Sequence, residues 1–293
     1  MSTSTILVTG ASSGFGKLTS LTLARRGHRV FATMRDPGGK NRASADELRR
    51  IAELERVELN VLELDVTSDA SVEAAVAAAL AQAGRLDVAV NNAGYGLGGL
   101  SETVTPAQFL AELDTNVVGM QRVNRAVLPG MRANRSGLLV HVSSTLGRVV
   151  FPFVGPYAAT KWAVEALAEI YRYELKPTGV ESTIVQPGAF PTEFGAAMQA
   201  GADPARAAGY GPLEHGFQQF GEMFAKMFAV PNPPDPQEVA DAIADLIETP
   251  AGKRPVRVVV DRFNGQGPVA LNEAHAGAQR GMLQGMGMEL LAD

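Results

Sequence analysis

The chain has 293 residues, 46% hydrophobic and 19% charged, which suits one large α/β domain or two small ones and excludes a disordered chain. Its net charge is −5 and no basic run stands out, so the electrostatic footprint of a nucleic-acid binder is absent. It has no cysteine, which excludes disulfides, thiol nucleophiles and thiolate metal sites, and no apolar stretch approaches the length of a membrane span.

The first strand-like run, 5–9, leaves no room before it for a charged segment and an apolar leader core, so a soluble, cytoplasmic protein is expected. It passes into Gly10-Ala-Ser12-Ser13-Gly14-Phe15-Gly16 and then a helical stretch carrying Leu18, Leu21 and Leu23. Glycines there let the chain turn tightly and let backbone approach a diphosphate, while the helix N-terminus offers free N–H groups to the anion. The spacing is Gly-x-x-x-Gly-x-Gly, not the commoner dinucleotide fingerprint. Alone it could be a plain strand-to-helix turn; its place after the first strand points to nucleotide binding.

A second strand, 28–33, ends in Met34-Arg35-Asp36, where a doubly wound sheet meets the adenosine ribose. An acid there would accept from the 2′-hydroxyl, and an arginine would pair with a 2′-phosphate. Met34 stands where the acid is expected and Arg35 follows, which favours NADP(H) over NAD(H). The alternative is that Asp36, one step late, meets the ribose.

Residues 44–55 and 69–83 read as helices, 57–64 and 86–90 as strands, the latter opening into Asn91-Asn92-Ala93-Gly94. Strands alternating with such helices predict a three-layer, doubly wound parallel sheet of about seven strands with helices on both faces. Ligands of such sheets bind at the carboxyl ends of the strands, where Asp65, Asn91, Ala93 and Gly94 fall. One long helix is predicted over 106–132 with Asn116 in its middle, and an asparagine there is ordinarily a tolerated surface residue.

A fifth strand, 137–142, delivers Ser143 and Ser144 to the same edge. The next helix, with Pro156 suited to its first turn, runs to about 176 and carries Tyr157 and Lys161 at i and i+4, on one face. A nearby ammonium favours the phenolate, so the Tyr157 pKa is expected to fall towards the working range of a proton-transfer catalyst. Ser144 could hold a substrate oxygen beside the phenol. A sixth strand, 180–185, ends at Gln186-Pro187-Gly188. From 189 to 236 no strand pattern appears, but Leu213, Phe217, Phe220, Phe224 and Met227 form an apolar helical stripe. It could be a lid over an apolar substrate, or could simply pack on the sheet or a second subunit. A last helix, 236–247, and strand, 256–260, close the sheet; no role is assigned to the tail from 261. The histidines His28, His141, His215 and His275 show no metal-ligand spacing, and no metal is expected. His215 and Arg148 are minor candidates for the substrate mouth.

Taken together, Thr9-Gly10-x-x-x-Gly14-x-Gly16, Asp65-Val66, Asn91-Asn92-Ala93-Gly94, Asn116, Ser144, Tyr157-x-x-x-Lys161 and Pro187-Gly188 with Thr192 resemble the short-chain dehydrogenase/reductase family over 5 to about 260. Ser144 lies thirteen positions before Tyr157, the spacing the family shows. The segments 32–36 and 91–99 resemble members acting on steroids and retinoids. Phe15 departs from the usual isoleucine, and Gln186 precedes the Pro-Gly pair. The resemblance implies one Rossmann-like domain over 1–293, with 189–236 as a substrate lid and 261–293 as a tail. It implies NADP(H)-dependent interconversion of an alcohol and an apolar ketone or aldehyde. Tyr157 would be the general acid/base, with Lys161 tuning it and bonding the nicotinamide ribose. Ser144 would hold the carbonyl oxygen and Asn116 would anchor a relay water. The cofactor would lie along Gly10, Ser12, Ser13, Gly14, Phe15, Gly16, Arg35, Asp65, Val66, Asn91, Ala93, Gly94, Pro187, Gly188 and Thr192, as well as Tyr157 and Lys161. A homodimer or homotetramer is implied through the helices around 106–132 and 157–176. Two rivals stand beside it: an NADP(H)-sensing protein without turnover, and a reductase of ketoacyl thioesters. The 189–236 segment has only Arg206 and Lys226 as basic residues, which weighs against the second.

Overall fold

Strand and helix alternate from the start of the computed structural model, which describes residues 3–288 and 291. β1 (Thr5–Val8) leads through the glycine turn into α1 (Gly14–Arg25), and β2 (Arg29–Met34) and α2 (Arg42–Glu55) follow. Then come β3 (Leu59–Glu63), α3 (Asp69–Ala83), β4 (Val88–Asn91) and a two-residue strand, β5 (Leu97–Gly98). Thr105 and Gln108 form a reciprocal capping box that starts α4 (Pro106–Leu113). α5 (Gly119–Ala133), β6 (Gly137–Val142), α6 (Gly155–Leu175) and β7 (Val180–Pro187) carry the chain back across the sheet. The remainder is α7 (Glu193–Ala196), β8 (Gln199–Ala200), α8 (Gly216–Phe228), α9 (Gln237–Glu248), β9 (Arg257–Val260) and α10 (Gln266–Gly285).

The main sheet is parallel throughout, in the order β3-β2-β1-β4-β6-β7-β9. Parallel strands are buried on both faces, which is why they read as continuous apolar runs. Alternate side chains serve opposite layers: Ile6, Val30, Val88 and Val140 pack with Leu21, Leu48 and Ile243, on the side of α1, α2 and α9. Leu7, Phe31, Ala89 and Leu139 pack with Val72, Val76, Val123 and Val127, on the side of α3 and α5. The chain order reverses between β1 and β4, and the crevice at that switch point is where doubly wound sheets bind ligands.

Two sequence expectations change, and the unassigned tail proves to be helical. The helix expected over 106–132 is two helices joined by a π turn at Asp114–Val118, which contains Asn116. The segment expected to lack strands contributes β8, whose Gln199 and Ala200 pair with Leu97 and Gly98 of β5. The tail folds as α10, held by side-chain hydrogen bonds from Asn272 and His275. Among the described residues no helix is long and apolar enough to cross a membrane.

Candidate active site

The ends of β1 and β4 are stapled to each other by one threonine. Thr9 Oγ1 accepts from the backbone N–H groups of Asn92 and Ala93, each at 3.0 Å, and Asn92 Nδ2 donates to the Thr9 carbonyl at 2.9 Å. Gly10, at φ +70°, passes so close that a Cβ there would stand 2.8 Å from Ala93 Cα. Ser13 precedes α1 in extended backbone with no side-chain cap, so the first-turn amides of α1 stay available to an anion. A Cβ on Gly14 would project into the gap facing Thr192, 3.8 Å away. This narrow, glycine-floored gap, ringed by uncapped amides, fits the diphosphate of a dinucleotide. Ser12 and Gly16 lie in the same turn, while the Phe15 ring leaves it to pack edge-on against Phe190, 5.6 Å between centroids.

At the tip of β2 Arg35 is exposed, whereas Asp36 Oδ2 accepts from its own turn, from Lys40 N at 2.7 Å. Asp65, after β3, accepts from Thr67 N and Thr67 Oγ1 at 2.9 and 2.7 Å. Burial pushes the Asp65 carboxyl up, but those bonds and the charges of Arg35 and Arg122 more than offset it, so it is held below the usual range. Val66 is buried against Gly119. Asn91 turns its side chain away from the crevice, donating to Asn124 at 2.8 Å and lying 3.3 Å from His141 in the core. Only its backbone can meet a cofactor. A small cavity with room for about one water lies behind the crevice, lined by Thr9, Asn91, Asn116 and Lys161 among others.

Asn116 is 4% exposed and forms part of the floor, not the surface. The π turn aims it at the loop after β4, where Oδ1 accepts from Tyr95 N at 3.0 Å and Nδ2 donates to Tyr95 O at 2.8 Å. Nδ2 also reaches Thr160 Oγ1 of α6 at 3.1 Å. Ser144 is buried at the end of β6; its hydroxyl accepts from Leu146 N at 3.1 Å, and its influence on the Tyr157 phenol is to lower its pKa. Pro187 offers its carbonyl to Ser144 Oγ at 3.5 Å, and Gly188 is fixed by its N–H to Val260 O at 2.8 Å. Lys161 Nζ donates to the Val142 carbonyl at 2.9 Å and sits 5.6 Å from the centre of the Tyr157 ring.

The expected lowering of the Tyr157 pKa is corrected. Burial raises it, the Ser144 hydrogen bond opposes that rise in part, and the charge of Glu112 adds to it. Burial pulls Lys161 down to about 8 against the charges of Glu112 and Glu165. Desolvation is the largest influence on both groups.

α8 packs by its aromatic face near β5, where the Phe217 ring stands against Gly98. Phe194 lies 5.3 Å from the Tyr157 ring, and Phe217, Phe220 and Phe224 form a half-buried aromatic run that meets Phe151. His215 is exposed at the start of α8. Arg148 leaves the mouth, reaching the Leu271 carbonyl of α10 at 3.5 Å. Glu112 is absent from the sequence-derived site, yet it is fully buried, accepts from Leu97 N at 2.9 Å and adds its charge to the surroundings of Tyr157 and Lys161; an acid on one helix face carries no signal until the elements packed against it are known.

A glycine turn at the switch point thus faces a serine at the end of β6 and a tyrosine and a lysine on the first turns of α6. Residues 4–203 match the sequence profile described as short chain dehydrogenase, and the chain belongs to that family. It is 38% identical over 189 residues to 3-ketodihydrosphingosine reductase of Bacteroides thetaiotaomicron, covering 64% of this chain and 65% of that protein. It is 34% identical over 249 residues to human retinol dehydrogenase 8, covering 84% and 78% respectively. A solved short-chain dehydrogenase from Streptomyces avermitilis superposes with a TM-score of 0.76 at 30% identity, over 97% of this chain and 96% of that one.

Proposed function

We propose that the protein interconverts an alcohol and a bulky, apolar carbonyl compound with NADP(H), using Tyr157 as general acid and base. One observation carries this reading: the buried Tyr157 ring has the Lys161 ammonium 5.6 Å from its centre and the Phe194 ring 5.3 Å away, with Ser144 buried at the neighbouring strand end. In reduction, Ser144 holds the carbonyl oxygen and Tyr157 gives it a proton. In oxidation Tyr157 takes that proton back. Lys161 stabilises the resulting phenolate, and its Val142 contact fixes where the ammonium stands. The small cavity beside Lys161 and Asn116 has room for a relay water. The nicotinamide, when bound, supplies or accepts the hydride.

NADP(H) is favoured because Arg35 stands exposed at the β2 tip while Asp36 is occupied by its own turn. An apolar substrate is favoured by Phe194, Phe217, Phe220 and Phe224. On the lid Arg206 is tied to Asp203 and Glu102 at 2.8 and 2.9 Å, which weighs against a phosphate-bearing thioester. The exposed Leu110, Val118, Trp162 and Ile170 of the α4–α6 face support a homodimer or homotetramer. Tyr157→Phe is the test: turnover of NADPH with apolar aldehydes and ketones should vanish while NADPH binding persists. Turnover near the wild-type level would overturn the assignment, and NADPH binding without turnover by the wild type would favour a sensor.

A further inference from the structure

Gln186 is fully buried near the end of β7, one residue before Pro187, and its side chain has partners on two other elements. Its Nε2 donates to Glu165 Oε1 of α6 at 2.8 Å, and its Oε1 accepts from Asn272 Nδ2 of α10 at 2.7 Å. Glu165 stands one helical turn beyond Lys161 and lies against Gly147, in the short turn Thr145–Gly147 that follows Ser144. That contact has no slack: a Cβ on Gly147 would stand 2.8 Å from Glu165 Cγ and 2.8 Å from Ser143 Oγ. The same turn holds Ser144, whose Oγ accepts from Leu146 N at 3.1 Å. Arg148, next in the chain, reaches the Leu271 carbonyl, beside Asn272, at 3.5 Å. A line of contacts therefore runs from the tail helix through Gln186 and Glu165 to the turn that carries Ser144. A close-packed interior transmits displacement along such a line, because no neighbour has room to absorb it.

We propose that Asn272 is a positioning residue through which α10 holds the Ser144 turn in place, a role whose effect on turnover rests on the reading of Ser144 and Tyr157 above. Without the Asn272 amide, Gln186 Oε1 is a buried acceptor left unpaired, which is costly, so the Gln186 amide rotates to find another donor. Its Nε2 then leaves Glu165, which stays tied by Oε2 to Arg257 Nε at 2.8 Å and pivots on that bond. The Glu165 stem shifts against Gly147, and the turn that carries Ser144 shifts with it.

Asn272→Leu removes the amide at similar size. Leu283→Ala, at a buried position of the same helix, weakens the packing of α10 without touching the line of contacts. Both variants are compared with wild type in melting temperature, in kcat and KM for an apolar carbonyl with NADPH, and in amide hydrogen exchange over 145–149. A misplacement of about 1 Å costs up to about 100-fold in rate, and part of that is expected here: kcat of Asn272→Leu should fall about tenfold with KM little changed. The amides of Gly147, Arg148 and Val149, which bond the Ser144 and Thr145 carbonyls, should exchange faster. Leu283→Ala should lose at least as much melting temperature while keeping kcat and the exchange of 145–149 at wild-type levels. A kcat of Asn272→Leu within about twofold of wild type, or an equal fall in Leu283→Ala, overturns the proposal. Failure of the underlying reading shows differently, as a wild type without turnover or a Tyr157→Phe variant that keeps it. Exchange over 145–149 then decides: faster in Asn272→Leu supports the tether, and unchanged overturns it. If Asn272→Leu does not fold, the less intrusive Asn272→Ala is read in the same way.

Discussion

Arg257, at the start of β9, holds two acids of α6 at once, with Nε 2.8 Å from Glu165 Oε2 and Nη2 2.6 Å from Glu169 Oε2. All three side chains are nearly enclosed, at 6%, 3% and 11% exposure. Arg257→Met keeps the aliphatic stem and removes the guanidinium, leaving two buried carboxylates without their cation. Removing one partner of a buried pair costs about 3–5 kcal/mol. Glu165 keeps the Gln186 amide at 2.8 Å, and Glu169 keeps His275 at 2.9 Å, so the lower end, about 3 kcal/mol, is expected. With about 2.1 cal/mol/K of unfolding entropy per residue over 293 residues, the melting temperature should fall by about 5 °C. Burial pushes the Glu169 carboxyl up, but the hydrogen bond and charge of Arg257, with His275, more than offset it, so its folded pKa is depressed. Stability linked to a depressed carboxyl is present above its unfolded pKa and lost as pH falls towards the folded value. The gap between wild type and variant should therefore narrow in acid. The assay is thermal melting by circular dichroism at pH 7 and again near pH 4. A fall of less than about 1 °C at pH 7, or an equal gap at both pH values, would refute the reasoning.

Gly16→Ala would drive a Cβ into the Gly10 carbonyl and to 2.5 Å from Asn92 Nδ2, opening the glycine turn; NADPH affinity should fall about tenfold or more, and unchanged affinity would show that the turn yields. Arg35→Ala should weaken NADPH about 10- to 100-fold, the worth of a charge-assisted bond to phosphate, and NADH far less; equal losses would remove the 2′-phosphate role. Phe220→Ala takes one ring from the half-buried aromatic run and should raise KM for bulky apolar carbonyls roughly five- to thirtyfold while sparing small aldehydes. Identical KM values for both classes would argue against the lid.

Strands buried on both faces announce themselves as short apolar runs, so the strands from β1 to β9 that form the main sheet were legible to within a few residues. β5 and β8 are two residues each and have no period to detect. The π turn adds one residue to a helix and leaves hydrophobic spacing almost unaltered, so 106–132 read as a single helix, and Asn116 stood out by family resemblance and not by its place in that helix. α10 is rich in glycine and alanine and is held by Asn272 and His275, polar contacts whose partners lie on β7 and α6, far away in sequence. For Tyr157 the sequence showed the neighbouring charge but not the desolvation, and burial decides the direction.

The π turn has one further consequence. Each residue advances a regular helix by about 100°, so the extra residue at Asp114–Val118 re-phases α5 against α4 by about that angle. Upstream Glu112, and within the turn Asn116, point at the loop beside the crevice; downstream, Val123, Val127 and Met131 point at the sheet. A single rod thus serves two clients in different directions. A chain one residue shorter here could keep the rod in register with the sheet or with the crevice, but not with both.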